Sequence, residues 1–447
     1  NRHSKAVNWL LYLKRNKDQP DQESELKLGQ YYRIYGEIKP AHSYAVPGAF
    51  DQEKWFLQQN VMSVFSVQHI QPLKSDEIYS LGYQQHLKEQ QSFRATFLLK
   101  VAQTRLAFRQ MLQASNFQHK GLLLALLTGD ESLLSDDLKQ QFQQLGISHL
   151  LAISGPHVLI FASMLTWLLQ KIVQRYVPKL YLWQPKPILL ILPFCLSVLL
   201  YVAFVGFEIP AVRTLLTVLI GSLFLLLRRQ IRPLALLIYS ASFLLLFDPF
   251  SILSAAFWLS YGACFILIRL YQTIENLPKH TVLTMRQKAI FITKAFVESQ
   301  WKIFIALLPL VLIFFQQVSW FAPLSNLIAI PLLSMVVVPF NIFAACIWLI
   351  IPPLGKLLFQ LNDFILSIFM TILNGLHRLS PELYGVSITP AMMIIFIIGL
   401  IILFLPRGTF PKFWVGVCFL PLFFGTKSEI TELNILDVGQ GQSIVLQ

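Results

Sequence analysis

The sequence predicts a polytopic α-helical membrane protein led by a small polar β module, and three observations carry the prediction. Its 447 residues are 55% hydrophobic and only 13% charged, against roughly 25% charged residues in soluble domains. Long apolar runs recur from residue 150 onward, near 150–169, 188–205, 211–227, 233–247, 252–270 and 303–315. Before residue 148 the chain is polar and mixed, with short alternating segments of the kind that form half-buried strands.

The formal net charge of +13 has three possible origins: a nucleic-acid partner, anionic lipid, or the positive-inside bias of cytoplasmic loops. The last weighs most. Cys195, Cys264, Cys346 and Cys418 each lie in an apolar run without metal-ligand spacing, and read as small buried or lipid-facing side chains. The chain opens on Asn1, shows no signal peptide and stops in a strand-like segment at Gln447, so it reads as a piece cut at both ends.

In chain order, residues 1–20 are basic and mixed and say little. From Leu28 the alternation is strand-like, with Tyr31, Arg33 and Tyr35 on one face and Tyr32 and Ile34 on the other. After a turn at Pro47 and Gly48, Asp51 caps a helix to about Gln59, and a second strand covers 61–70. Residues 84–113 read as a helix in which Leu87, Leu98, Val101, Leu106 and Met111 are interspersed with Lys88, Arg94, Lys100, Arg105 and Arg109. Such a basic amphipathic helix lies on a membrane surface, the preferred reading, or packs its apolar stripe on its own domain. Gly129 and Asp130 end a further helix. Ser135 caps the next, whose Asp136 and Asp137 suit its amino end.

The stretch SHLLAISGPHV, 148–158, joins the polar third to the first apolar run. It places Gly155 beside Pro156 and sets two histidines, His149 and His157, at the mouth of an apolar helix. Ser148, His149, Leu150, Ile153, Ser154, Gly155, His157 and Val158 resemble the signature of the ComEC-type DNA internalisation channels of bacterial natural competence. Pro156 stands where that family usually has leucine, and a proline that removes a backbone donor predicts a sharper kink here. FWLS at 257–260 and PLSNLIAIP at 323–331 also resemble family segments.

The resemblance extends to Pro47, Gly48, Phe50 and Asp51. It implies an OB-like module over 1–83, a connector over 84–147 and a channel domain over 148–427. An OB-like fold binds single-stranded nucleic acid through aromatic faces and cations, for which Tyr31, Arg33, Tyr35, Lys39, Tyr44 and Lys54 are candidates. The alternative is that the aromatics form the small core of the sheet. LNILDVGQGQSIVL, from Leu433, resembles the opening hairpin of a metallo-β-lactamase-like domain, with Gln442 where an aspartate is common. Residues 428–447 are therefore read as the first strands of a carboxy-terminal α/β domain. Zinc or manganese would belong to the rest of that domain, because none of the nine histidines forms an H-x-H or H-x-x-x-H cluster. No cofactor or metal is expected within these residues.

Basic residues follow alternate runs: Lys171, Arg175, Lys179 and Lys186; then Arg228, Arg229 and Arg232; then 269–302. These loops are assigned to the cytoplasm, which puts the amino-terminal module and the carboxy terminus outside the inner membrane. The run 324–351, with Pro331 and Pro339, fits either one long helix or a broken, re-entrant pair, and charge bookkeeping favours the pair. Lys356, Gln360, Asp363, Ser367, Thr371, Asn374 and Arg378 recur every three or four residues and share one helical face, either interfacial or lining a conduit.

His149, His157, Glu208, Arg213, Asp248 and Asn326 sit in or beside apolar runs, where ionisable groups face a bundle interior or a cavity. With Ser154 and Gly155 of the signature they make up the candidate channel residues. Bland roles compete: Glu208 pairing with Arg213, a helix-ending turn at Asp248 and Pro249, and a hydrogen bond from His157 that fixes the kink rather than gates a channel.

These readings converge on an inner-membrane channel that admits single-stranded DNA to the cytoplasm during transformation. Its partners would be the bilayer, the DNA strand, a periplasmic DNA-binding competence protein and a cytoplasmic helicase or ATPase motor. The motor is invoked because the chain contains no G-x-x-x-x-G-K-[ST] loop. Two other classes are weighed against this: a secondary transporter for a small anion, suggested by Glu208 with Arg213 and the proline-broken run, and a membrane anchor for a metal-dependent hydrolase.

Overall fold

A computed structural model of the chain describes residues 8–13, 26–42, 51–58, 61–81, 92–275, 285–380, 384–385, 390–405, 408–420, 433–436 and 443–446. They group into two compact units.

The first unit holds a three-stranded mixed sheet in the order β1–β3–β2. β1 (Asn8–Leu13) runs parallel to β3 (Val61–Pro72), and β2 (Tyr32–Pro40) runs antiparallel to it. β1 lies in the segment that carries no pattern by itself; NWLLYL becomes a strand by pairing along β3. β2 begins one residue after Tyr31, and its pairing shifts register between Tyr35 and Gly36. α1 (Gln52–Gln58) starts as expected, with Asp51 Oδ1 accepting the Lys54 amide at 2.9 Å. Phe56 of α1 is buried together with Phe65 and Val67 of β3. Trp9 stacks on Phe65, ring centroids 5.7 Å apart, which ties β1 to this small core. α2 (Ser75–Ser80) follows β3. Leu433–Leu436 and Ser443–Leu446 pair as an antiparallel hairpin; the residues between them, Asp437 to Gln442, lie outside the described residues.

The second unit is helical. α3 (Phe93–Gln113) contributes Phe108 and Leu112 to its core; the preceding residues 84–91, expected to be helical, lie outside the described residues. α4 (Lys120–Thr128) is buried from Gly121 to Thr128 and ends on Gly129 at φ +76°. α5 (Asp136–Gln144) starts where Ser135 Oγ accepts the Leu138 amide at 3.3 Å. Both helix boundaries are those the sequence predicts.

The apolar helices follow in order: α6 (Gly155–Tyr176), α7 (Lys186–Val205), α8 (Ile209–Leu226), α9 (Pro233–Phe247), α10 (Ala255–Glu275) and α11 (Met285–Phe315). Then come α12 (Ala322–Ala329), a π-helical segment (Ile330–Val337), α13 (Val338–Ile350), α14 (Pro352–Leu379) and α15 (Pro390–Phe404). Among the described residues, six helical stretches are long and apolar enough to cross a membrane: 148–176, 186–205, 209–226, 293–315, 322–350 and 352–379. The protein is thus a polytopic helical membrane protein with a small amino-terminal mixed sheet.

Two expectations are corrected. Pro156 does not kink a helix, because it stands in the first turn of α6, where its missing amide would have gone unpaired and its fixed φ suits the helix start. The run with Pro331 and Pro339 is not a re-entrant pair. Residues 322–350 form one continuous helical stretch, in which the backbone takes up Pro331 in a π segment and Pro339 in the first turn of α13 instead of reversing. A widened turn tolerates a residue without an amide at the cost of orphaned carbonyls. At the junction with α13, Val337 O also accepts from Asn362 Nδ2 of α14 at 3.2 Å.

Inside a bilayer, helices associate through close packing and interhelical hydrogen bonds rather than by exclusion of water. The tight α13–α14 reversal shows this: a Cβ at Gly355 would collide with the backbone of Trp348.

Candidate functional site

The signature stretch folds as a 3₁₀ turn, Ser148–Leu150, followed by the start of α6. His149 is exposed on that turn, whereas His157 is 1% exposed. The Ser154 amide donates to His157 Nδ1 at 3.4 Å. A ring nitrogen that accepts carries no proton, so Nε2 bears it and donates to Ser334 Oγ, also at 3.4 Å. The signature histidine therefore joins the first turn of α6 to the π segment. π turns gather at functional positions in helices, and here one is tied to the signature by a side chain that the resemblance and its place beside an apolar run had marked.

On the other side of the same turn lies Arg213 of α8. Gly155 is required there, because a Cβ would come within 2.6 Å of Thr214 Oγ1 and 2.7 Å of Arg213 Nη2. Arg213 is 9% exposed. Its Nη1 donates to the Ser260 carbonyl of α10 at 2.7 Å and meets Cys264 Sγ. Glu208, which precedes α8, has its carboxylate facing Gly129. Ser154, Gly155, His157 and Arg213 are thus brought together by α6 and α8, with Ser260 of the FWLS segment as a neighbour, and Thr214 and Ser334, which no pattern in the sequence had singled out. Asn326 lies on α12, its Oδ1 buried without a partner. Asp248 closes α9, its amide donating to the Leu244 carbonyl at 2.8 Å, in the manner of a helix-ending turn.

The polar face of α14 forms as the spacing predicts, but its middle meets protein. Asp363, 9% exposed, accepts the amides of Gln118 and His119 at 2.9 and 2.8 Å. Ser367 donates to Gln118 Oε1 at 3.3 Å, and Asn374 Oδ1 accepts from Gln141 Nε2 at 2.7 Å. Lys356, Gln360, Thr371 and Arg378 are exposed. The sequence marks the stripe but not the partners, which lie more than two hundred residues upstream.

In the first unit, Arg33, Tyr35 and Lys39 are exposed on β2. Tyr35 pairs across the sheet with His69 and stacks on it, centroids 6.1 Å apart. Lys54 is half-buried on α1, Tyr31 precedes β2, and Tyr44 lies outside the described residues. An open cleft of about 360 Å³ between α6, α7 and α8 is lined mainly by apolar side chains such as Leu190, Phe194 and Val218, a poor lining for an ion. Among the described residues, no three histidine, cysteine or carboxylate groups come together to hold a metal.

Residues 126–410 match the family described as Competence protein, which is more than half of the chain. The chain belongs to the competence protein family. The signature turn, the buried arginine and the polar helix all fall inside the family match, while the amino-terminal sheet falls outside it. The chain is 28% identical over 339 residues to Competence protein ComA of Neisseria gonorrhoeae, covering 73% of this chain and 45% of that protein. It is 27% identical over 298 residues to Recombination protein 2 of Haemophilus influenzae, covering 66% and 34%. Over 438 residues it is 23% identical to ComE operon protein 3 of Bacillus subtilis, covering 93% and 50%. The chain therefore spans half the length or less of these family members. No solved structure matches it.

Proposed function

We propose that this chain is the channel-forming part of a competence protein, which passes one strand of DNA across the inner membrane. One observation carries the reading: inside the family-matched segment, an otherwise apolar bundle buries His157, Arg213 and Thr214 around the start of one helix, with the half-buried Ser154 and Ser334 beside them. Polar and charged groups at membrane depth are costly and mark the route of a polar substrate. A polyanion needs such a route, with enough polar contact to replace water and too few cations to trap it.

In this reading the amino-terminal sheet, OB-like and outside the cytoplasm, offers Arg33, Tyr35 and Lys39 to the incoming strand. Stacking on Tyr35 and charge at the two cations would hold it. Movement inward is driven by a partner motor, and a periplasmic DNA-binding competence protein delivers the substrate. In the same reading Leu433–Leu436 and Ser443–Leu446 are the opening strands of a metallo-β-lactamase-like domain.

The test is a deletion strain given labelled DNA. DNA retained at the cell surface, protected from entry, and restored to the cytoplasm by the wild-type gene is the expected result. Unchanged transformation in the deletion strain rejects the channel.

A further inference from the structure

We propose that the guanidinium of Arg213 and the first turn of α6 together form a binding subsite for a phosphodiester of the translocating strand. The choice of DNA as ligand rests on the channel reading; the anion chemistry rests on the geometry alone.

Arg213 is a buried cation whose Nη1 is engaged by the Ser260 carbonyl and Cys264 Sγ. Among the described residues, Nε and Nη2 meet no acceptor, and no carboxylate lies within ion-pair distance of the group. These free nitrogens are also absent from the buried polar atoms sealed without a partner, so a water-sized body reaches them. Elsewhere the same bundle treats a cation differently: the Lys412 ammonium donates to three carbonyls, Ile402, Leu403 and Leu405, at 2.7, 3.1 and 2.6 Å. Arg213 has the capacity for the same and is left short.

Its position compounds the deficit. Nη2 sits against Gly155, the first residue of the 22-residue helix α6. A helix amino terminus carries roughly half a positive charge; at this one the Ser154 and His157 amides are taken by His157 Nδ1 and the Ser154 carbonyl and Pro156 has none, which leaves the amide of Gly155. The positive end of α6 therefore raises the potential at the guanidinium in a low-dielectric setting, which favours an anion at its free nitrogens. The planar fork of the guanidinium suits a phosphate oxygen pair. A single fork and one helix end make a weak site, as a path that must release each phosphate requires.

The experiment uses the full chain purified in a maltoside detergent and titrated with fluorescent oligothymidylate across a range of salt concentrations. Each phosphate neutralised contributes about −0.7 to the slope of log K against log salt for a single strand. Arg213→Gln is expected to make the slope shallower by about 0.7, Arg213→Lys to keep it, and Gly155→Ala, which pushes a Cβ against Nη2, to reproduce the loss with the arginine intact. Wild-type slopes in Arg213→Gln and Gly155→Ala, with normal DNA binding, overturn the subsite alone. No DNA binding by the wild-type chain overturns both the subsite and the channel. Loss of co-purifying anionic phospholipid in Arg213→Gln with an unchanged DNA slope also overturns the proposal and assigns the cation to a lipid headgroup.

Discussion

The Asp363 carboxylate of α14 accepts the backbone amides of Gln118 and His119, one oxygen to each. A single side chain thereby fixes the turn that enters α4 to a helix 244 residues away. Hydrogen bonds to a charged acceptor contribute about 1.5–3 kcal/mol each. Asp363→Ala is therefore expected to lower stability by about 3 kcal/mol. Asp363→Asn should cost nearly as much, since its amide nitrogen would face one of the two N–H groups. Thermal unfolding in detergent and proteolysis near residue 118 measure both.

His119, beside this carboxylate, gives the fold a pH dependence. Burial lowers its pKa below the ordinary 6.5, and the Asp363 charge opposes part of that shift. The unfolded chain then binds the proton more readily than the folded one. Its contribution to stability is full above pH 6.5 and is lost as the pH falls from there toward the folded pKa. Melting temperatures measured downward from neutral pH should decline, and His119→Asn should flatten that limb.

The His157–Ser334 contact links the signature turn to the π segment. Ser334→Ala removes one hydrogen bond, worth about 1 kcal/mol. His157→Ala removes both contacts and leaves a cavity, costing about 2–4 kcal/mol. Uptake of labelled DNA should fall in both strains, and further in His157→Ala. Wild-type uptake by His157→Ala at a normal membrane level would reduce the pair to packing.

Asn362 donates to the Val337 carbonyl where the π segment meets α13. Its replacement by leucine removes that hydrogen bond, a loss of about 1 kcal/mol. Hydrogen exchange should accelerate over 330–337 and stay unchanged in α7.

Gly129 holds φ +76° with the Glu208 carboxylate beside it; a Cβ there would lie 2.6 Å from Oε1. Gly129→Ala is expected to destabilise by about 1–2 kcal/mol from the left-handed backbone alone. The double variant with Glu208→Ala should recover only the part due to the clash, as a double-mutant cycle of melting curves would show.

Local pattern made much of this protein legible. The caps at Asp51 and Ser135 and the stop at Gly129 are short-range devices, and they appear where residue type and spacing put them. The face of α14 from Lys356 to Arg378 was readable as one stripe for the same reason. β1 was not, because NWLLYL alternates in no way that distinguishes a strand and owes its state to pairing with residues more than fifty positions away. Pro156 and Pro331 were misjudged alike: a proline signals a missing amide, but whether the chain kinks, starts a helix or widens a turn depends on which carbonyls its neighbours satisfy.

The amino acids alone settled that this chain inhabits a bilayer, where its helices run and which side chains are too polar for their surroundings, since solvation and helical periodicity act over a few residues. Tertiary structure alone decided what those polar groups do. It made Asp363 a clamp on a distant turn, joined His157 to a π segment, and set Arg213 against the first residue of α6, because hydrogen-bond satisfaction and charge placement are settled between segments far apart along the chain.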